Sequence, residues 1–338
     1  MELELVRIKN AAKNLKLIRN VTDGAMSSSG LITQNFKFMT KDNKQQKLSD
    51  STESAIDYST CYRQYGINAL SLFDGMSCGQ LALQKAGLKV NNYFASEIDE
   101  KAIFITQKNF PNTKQIGNVT ELKGSDLPKI DLLFGGSPCQ SFSSFGNGKG
   151  FDGKSGLFWE FVRVLNEVKP RYFLLENVVM KKEWEDIITE ALGVEPIRIN
   201  SNLFSAHNRP RIYWTNIPLN ELPKENKTVV YDILQTPMFH NNYPNWLLGK
   251  FGNKTRLEQL WYADGKASCL TSNMHKGQKS TFTKDRDENI HRLTVVECER
   301  LQTVPDKYTE GVSNTDRYKM LGNGWTVNVI AHIFGGLM

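Results

Sequence analysis

From Asn68 onward, short apolar runs alternate with stretches in which apolar residues recur at helical spacing. That alternation predicts an α/β fold, a parallel sheet covered by helices on both faces. The runs place strands over 69–73, 93–96, 130–134, 172–175, 197–199 and 212–215, and the helical spacing places helices over 80–86, 100–109, 157–168 and 183–192. Between 218 and 290 the alternation stops, and Tyr231, Phe239, Tyr243, Trp246, Phe251, Trp261, Tyr262 and Phe282 stand among Lys, Arg, Asn and Gly, which reads as a second, smaller domain. Periodicity returns with a helix over 292–301, and the chain closes on the apolar segment 326–334. Upstream, TKDNKQQKLSDSTESAID (40–57) has almost no large apolar residue, so burial cannot offset its ordering entropy and it reads as a linker. Three parts follow: an extension and linker over 1–60, a main domain over 61–217 and 291–338, and a small domain over 218–290.

Composition narrows the class. The 338 residues are 40% hydrophobic and 23% charged, which rules out disorder throughout. No run approaches the roughly 18 apolar residues of a membrane span, and MELELVRIKNAAKNLKLIRN is broken by charge, so neither a membrane protein nor a secretory signal is expected. Cys61, Cys78, Cys139, Cys269 and Cys298 are odd in number, far apart and form no CxxC; no disulfide framework or metal site is expected, and a reducing cytoplasm fits. The net charge of +6 favours polyanionic partners.

Six segments carry candidate chemistry. LFDGMSCGQLAL (72–83) puts Gly75 and Gly79 between a strand and a helix, where a glycine turn lets backbone approach a cofactor. One strand later, in ASEID, Glu97 stands where an acid in this topology accepts from both ribose hydroxyls, so the pair favours an adenosine-containing cofactor. GGSPCQSFS places Cys139 at the carboxyl end of a strand, where it reads as a nucleophile in preference to a buried structural cysteine because Gly135, Gly136, Ser137 and Gln140 flank it, and LLENV brings Glu176 and Asn177 to the same edge. A glycine-rich stretch with Lys149 and Lys154 reads either as a mobile lid or as a solvated loop. In HNRPRIYW, Arg209 and Arg211 stand two apart at a strand start, on one side, as a pair awaiting an anion or a carbonyl.

In this order the motifs resemble the cytosine carbon-5 DNA methyltransferases over roughly residues 67–338. The matching positions are Phe73 and Gly75, Glu97, Pro138 and Cys139, Glu176 to Val178, Arg209 and Arg211, RLTVVECERLQ (292–302) and GNGWTVNVI (322–330). Their style is most similar to the eukaryotic de novo enzymes and their bacterial and phage relatives. The resemblance implies a Rossmann-like sheet that binds S-adenosylmethionine, with a target-recognition domain over 218–290. It implies a cofactor site of Phe73, Gly75, Glu97, Ile98, Asn118, Pro138, Asn323, Trp325 and Val327, and a double-stranded DNA substrate in the cytoplasm of a bacterial or phage-infected cell. Lys250, Lys254, Arg256, Lys276, Lys279, Lys284 and Arg286 are expected to face DNA, with KASCLTSN (266–273) nearest to it. Three positions depart from the family pattern: Asn118 for the usual Asp, His207 for Gln, and Gly324 for a small hydroxyl residue.

The implied chemistry is covalent. Cys139 adds to carbon 6 of a flipped-out cytosine, Glu176 meets ring nitrogen 3, and Arg211, helped by Arg209, holds the carbonyl oxygen. On the sequence alone three alternatives stay open: a tRNA substrate, a non-catalytic DNA-binding regulator, and transfer of a different group from a modified sulfonium cofactor.

Overall fold

The apolar runs form the middle of a seven-stranded sheet. Its strands are β1 (Ile67–Leu72), β2 (Val90–Ser96), β3 (Lys114–Gln115), β4 (Leu132–Gly136), β5 (Tyr172–Val178), β6 (Ile197–Asn200) and β7 (Pro210–Thr215), in the order β3-β2-β1-β4-β5-β7-β6. This computed structural model describes residues 66–138, 154–235, 239–242, 244–251 and 253–338; the expected extension and linker (1–60), Cys139 and most of the glycine-rich stretch lie outside them.

The expectation of a parallel sheet needs correcting at one edge. Strands β1 to β5 pair in parallel, but β7 runs antiparallel to both β5 and β6. Only residues 201–209 separate β6 from β7, too few for the dozen or more that a parallel crossover requires. The reversal turns the start of β7 toward the edge where β1, β4 and β5 end.

Side chains of the central strands alternate between two buried clusters, as a sheet covered on both faces demands. Ala69, Leu132, Phe134, Leu174 and Tyr213 pack with α1 (Cys78–Lys85), α2 (Glu100–Asn109) and, from the far end of the chain, apolar residues over 327–334. Leu70, Leu72, Leu133, Leu175 and Trp214 pack on the other face with α3 (Phe158–Val168) and α4 (Lys182–Leu192).

In the segment 218–290, α5 (Asn245–Leu248) and a hairpin of β8 (Lys250–Phe251) with β9 (Lys254–Thr255) accompany a small sheet, β10 (Trp261–Tyr262), β11 (Phe282–Lys284) and β12 (Ile290–Arg292). Leu247, Leu260, Phe282 and Ile290 form its own core. The helix expected over 292–301 begins later, as α6 (Val295–Leu301). Thr294 accepts from the Glu297 amide at 3.2 Å and Glu297 accepts from the Thr294 amide at 2.7 Å, a capping box that fixes the start, while 290–292 belongs to β12. The chain then forms α7 (Asn314–Asn323) and α8 (Val327–Phe334). Among the described residues no helix is long and apolar enough to cross a membrane.

Gly79 is required by packing. A Cβ there would meet the ring of fully buried Phe134 at 2.3 Å, and that ring is itself held against Tyr93, Phe334 and Trp325. Gly79→Ala is therefore expected to cost about 1–3 kcal/mol by overpacking, read as a lower urea midpoint with unchanged slope.

Candidate active site

The turn after β1 is strained and fastened. Phe73, Gly75 and Ser77 have φ of 56°, 58° and 58°, of which only the glycine adopts that conformation without cost. Asp74 holds the turn. Its carboxylate accepts from the Ser77 hydroxyl and, at 2.6 Å, from the Tyr93 hydroxyl, while its amide donates to the Ser96 carbonyl at 3.2 Å. The Gly75 amide donates to Glu97 Oε2 at 2.7 Å, and Glu97 Oε1 accepts from the Ile98 and Asp99 amides at 2.7 and 2.9 Å. These bonds join the glycine turn to the acid expected to bind ribose.

The donors and surfaces at this edge suit an adenosine-containing cofactor. A Cβ at Gly75 would meet nothing within 4 Å, so the turn faces open space. Ile98 beside it is 72% exposed, an apolar face for a base. Asn118 accepts from the Thr120 amide at 3.1 Å through its oxygen, which fixes the side chain in the loop after β3. Pro138 ends the described part of β4's loop, and Asn323 is exposed at the end of α7. The Val327 side chain is fully buried in the core and its amide donates to the Gln302 carbonyl at 2.9 Å.

A second group of residues gathers where β4, β5 and β7 meet. Register sets Gly136 beside Glu176 and Val178 beside Arg211. Arg211 Nε lies 2.9 Å from Glu176 Oε1, and the Trp325 indole N–H donates to Glu176 Oε2 at 3.0 Å. Asn177, next along β5, donates to the Ser137 hydroxyl at 3.1 Å and so ties the Ser-Pro segment to the strand carrying Glu176. Glu176, Arg211 and Trp325 are thus brought together as a cluster, with the segment leading to Cys139 bonded to the same strand.

Arg209 does not share that cluster as the sequence led us to expect. Only 2% exposed, it donates to the carbonyls of Leu270 (3.0 Å), Gly322 (3.0 Å) and Gly324 (2.7 Å). It precedes β7, so the alternation of a strand does not govern its direction. Two further residues had no local signal. Gln302 donates to the carbonyls of Leu321 and Gly324 at 2.7 and 3.0 Å, and Lys266 donates to the carbonyls of Ser205, Asn226 and Thr228. His207 is fully buried. Burial first, then the charges of Arg209 and Arg211, hold it well below the usual imidazole range, and hence neutral. Cys269 Sγ lies 3.5 Å from Arg209 Nη1 and 3.9 Å from Arg211 Nη2. Burial acts to raise its thiol, but the two guanidiniums outweigh that and leave it below its ordinary value.

The basic residues of 218–290 divide. Lys284 is 3% exposed, paired with Glu288 at 2.7 Å and set over the Tyr262 ring, so it is not available to a polyanion. Arg286 is exposed but paired with Asp264 at 2.7 Å. Lys254 and Lys276 are exposed. KASCLTSN lies against α7, its Thr271–Ser272 peptide packed so closely on Gly322 that a Cβ there would meet it at 2.1 Å.

A family model described as C-5 cytosine-specific DNA methylase matches residues 67–185 and 181–338. The type II methyltransferase M1.ScrFI of Lactococcus lactis subsp. cremoris is 29% identical over 294 residues, 77% of this chain and 75% of that protein. The type II methyltransferase M.NlaX of Neisseria lactamica is 27% identical over 293 residues, 78% of this chain and 94% of its own length. The Entamoeba histolytica methyltransferase EhMeth has the same fold, with a TM-score of 0.63 at 18% identity over 80% of this chain and 97% of that one.

Burial raises the Asp74 carboxyl to about 6, against the opposing hydrogen bonds of Ser71, Ser77 and Tyr93. The folded state then binds more protons than the unfolded state between about pH 4 and 6, so this group's contribution to stability falls as pH rises through that window. Asp74→Asn should remove the fall, on the order of 3 kcal/mol, so that urea midpoints of variant and wild type diverge in the variant's favour from pH 4 to pH 7.

Proposed function

The chain belongs to the C-5 cytosine-specific DNA methylase family and is a DNA cytosine-5-methyltransferase; from that premise we propose that Cys139, Glu176 and Arg211 carry the reaction on double-stranded DNA. The observation that supports this most is the Glu176–Arg211 pair at the strand edge that also holds, through Asn177, the segment leading to Cys139. Carbon 5 of cytosine is a poor nucleophile until a thiolate adds at carbon 6, and that addition is assigned to Cys139. As the carbon–sulfur bond forms, negative charge moves toward ring nitrogen 3, where Glu176 supplies a proton, and Arg211 holds the carbonyl oxygen. Loss of the carbon-5 proton, return of the nitrogen-3 proton and expulsion of Cys139 then regenerate the aromatic ring. The base has to leave the duplex to reach this edge, at a cost of roughly a few kcal/mol.

S-adenosylmethionine is the cofactor proposed, and it supplies the methyl group that carbon 5 receives. Glu97 would accept from the ribose hydroxyls, the Gly75 turn would admit the sulfonium end, Ile98 would cover the base and Asn118 would meet its amino group. Phe73, Pro138, Asn323 and Trp325 complete the proposed pocket. Arg209 keeps an indirect role, fastening the strand start that carries Arg211. The segment 218–290 is assigned to target recognition and 1–60 to no part of the chemistry. A cytoplasmic enzyme with a restriction–modification or phage-defence role fits this reading.

Duplex DNA with 5-fluorocytosine at a target site cannot complete the final elimination, so incubation with S-adenosylmethionine should trap a denaturation-resistant adduct. Cys139→Ser should abolish it and Cys269→Ser, which removes the thiol beside Arg209 and Arg211, should retain it; the reverse result would move the nucleophile to Cys269. Glu176→Gln should slow trapping by roughly a hundred-fold or more. Adduct formation with RNA alone would overturn the substrate assignment. Exchange of 218–290 for a relative's segment should transfer the target sequence, read by bisulfite sequencing of plasmid DNA; unchanged sites would place recognition elsewhere.

A further inference from the structure

Trp325 is built to do more than fill space. The Gly324 carbonyl before it accepts from Arg209 at 2.7 Å and Gln302 at 3.0 Å, and the Thr326 hydroxyl after it bonds Gln302 and Ser201, each at 2.8 Å. The indole rests on Phe134, ring centroids 6.1 Å apart, which directs its N–H onto Glu176 Oε2 at 3.0 Å. Gly136 leaves the room this needs: a Cβ there would meet Glu176 Oε2 at 2.8 Å and the Trp325 indole nitrogen at 3.1 Å.

We propose that Trp325 is a positioning residue that selects which carboxyl oxygen of Glu176 delivers the proton. An indole N–H only donates, so the oxygen facing it must accept. Oε2 is therefore held as an acceptor, and the Arg211 Nε–H, which also only donates, lies 2.9 Å from Oε1, so that oxygen accepts as well while Arg211 covers it. When Arg211 turns to the base carbonyl, Oε1 alone is uncovered while the indole keeps Oε2 an acceptor, so Oε1 is the oxygen that takes up a proton from solvent and passes it to ring nitrogen 3. The carboxyl is thereby fixed in rotation as well as in protonation site.

The inference rests on the proposed role of Glu176, and the two fail differently. Trapping on 5-fluorocytosine duplex is followed for wild type, Trp325→Phe, Glu176→Gln and the double variant, beside the dissociation constant for S-adenosylmethionine. Trp325→Phe keeps the ring and loses the donor; at saturating S-adenosylmethionine it should slow trapping about ten-fold, as expected for a hydrogen bond to an ionisable group. In the Glu176→Gln background it should cost nothing more. Gly136→Ala, which wedges the two side chains apart without altering the indole, should reproduce the loss and serves if Trp325→Phe does not fold. An equal penalty in both backgrounds, or a loss confined to cofactor affinity, overturns the role of Trp325. If Glu176→Gln itself traps at the wild-type rate, the underlying assignment of Glu176 fails instead.

Discussion

A guanidinium that is only 2% exposed must find hydrogen-bond acceptors inside the protein, because a buried charge left without them costs several kcal/mol. Arg209 finds three, on Leu270, Gly322 and Gly324. They belong to different parts of the chain: the KASCLTSN segment, the end of α7 and the loop before α8. One buried cation therefore holds the start of β7, the KASCLTSN segment and the loop before α8 at a fixed separation. Burial, and after it the neighbouring Arg211, lowers its pKa from the ordinary guanidinium value, which is the electrostatic cost of that arrangement. Gln302 and Thr326 close the same knot from the other side.

What the knot positions is Trp325 and, through it, Glu176. The reversed strand completes the set, since an antiparallel β7 enters the sheet at the edge where β4 and β5 leave it, bringing Arg211 level with Val178. A parallel strand would have begun at the opposite edge. The carboxylate is then bracketed by a cation at one oxygen and an indole N–H at the other, on a short strand whose neighbours are buried on both faces.

The cofactor edge is organised on the same principle of strain held by surrounding bonds. Two non-glycine residues in the left-handed region cost roughly 1–3 kcal/mol each, and they persist here because Asp74, Tyr93, Ser96 and Glu97 fasten the turn. The Asp74 carboxyl is desolvated, so the group that holds the turn is also the one whose ionisation opposes folding.

Much of this was legible in the amino-acid order. Alternating apolar runs determined a two-faced α/β sheet because burial on both faces requires that pattern wherever the strands are later placed. The turn at Gly75 with Glu97, and Glu176 at a strand end, were likewise visible, since each depends on residues close in the chain and on the rule that open sheets bind ligands at strand ends. The helix expected from 292 rests on periodicity alone, and its start at Val295 comes from the capping box that Thr294 and Glu297 form in the structure. The tertiary structure alone decided the direction of β7, the burial of Lys284, and which of two similar arginines meets Glu176. The acceptors of Arg209 lie 61 to 115 residues away, and Trp325 is 149 residues from the carboxylate it touches. No local spacing encodes such partners, because a side chain's direction outside a regular strand follows the acceptors that folding brings within reach.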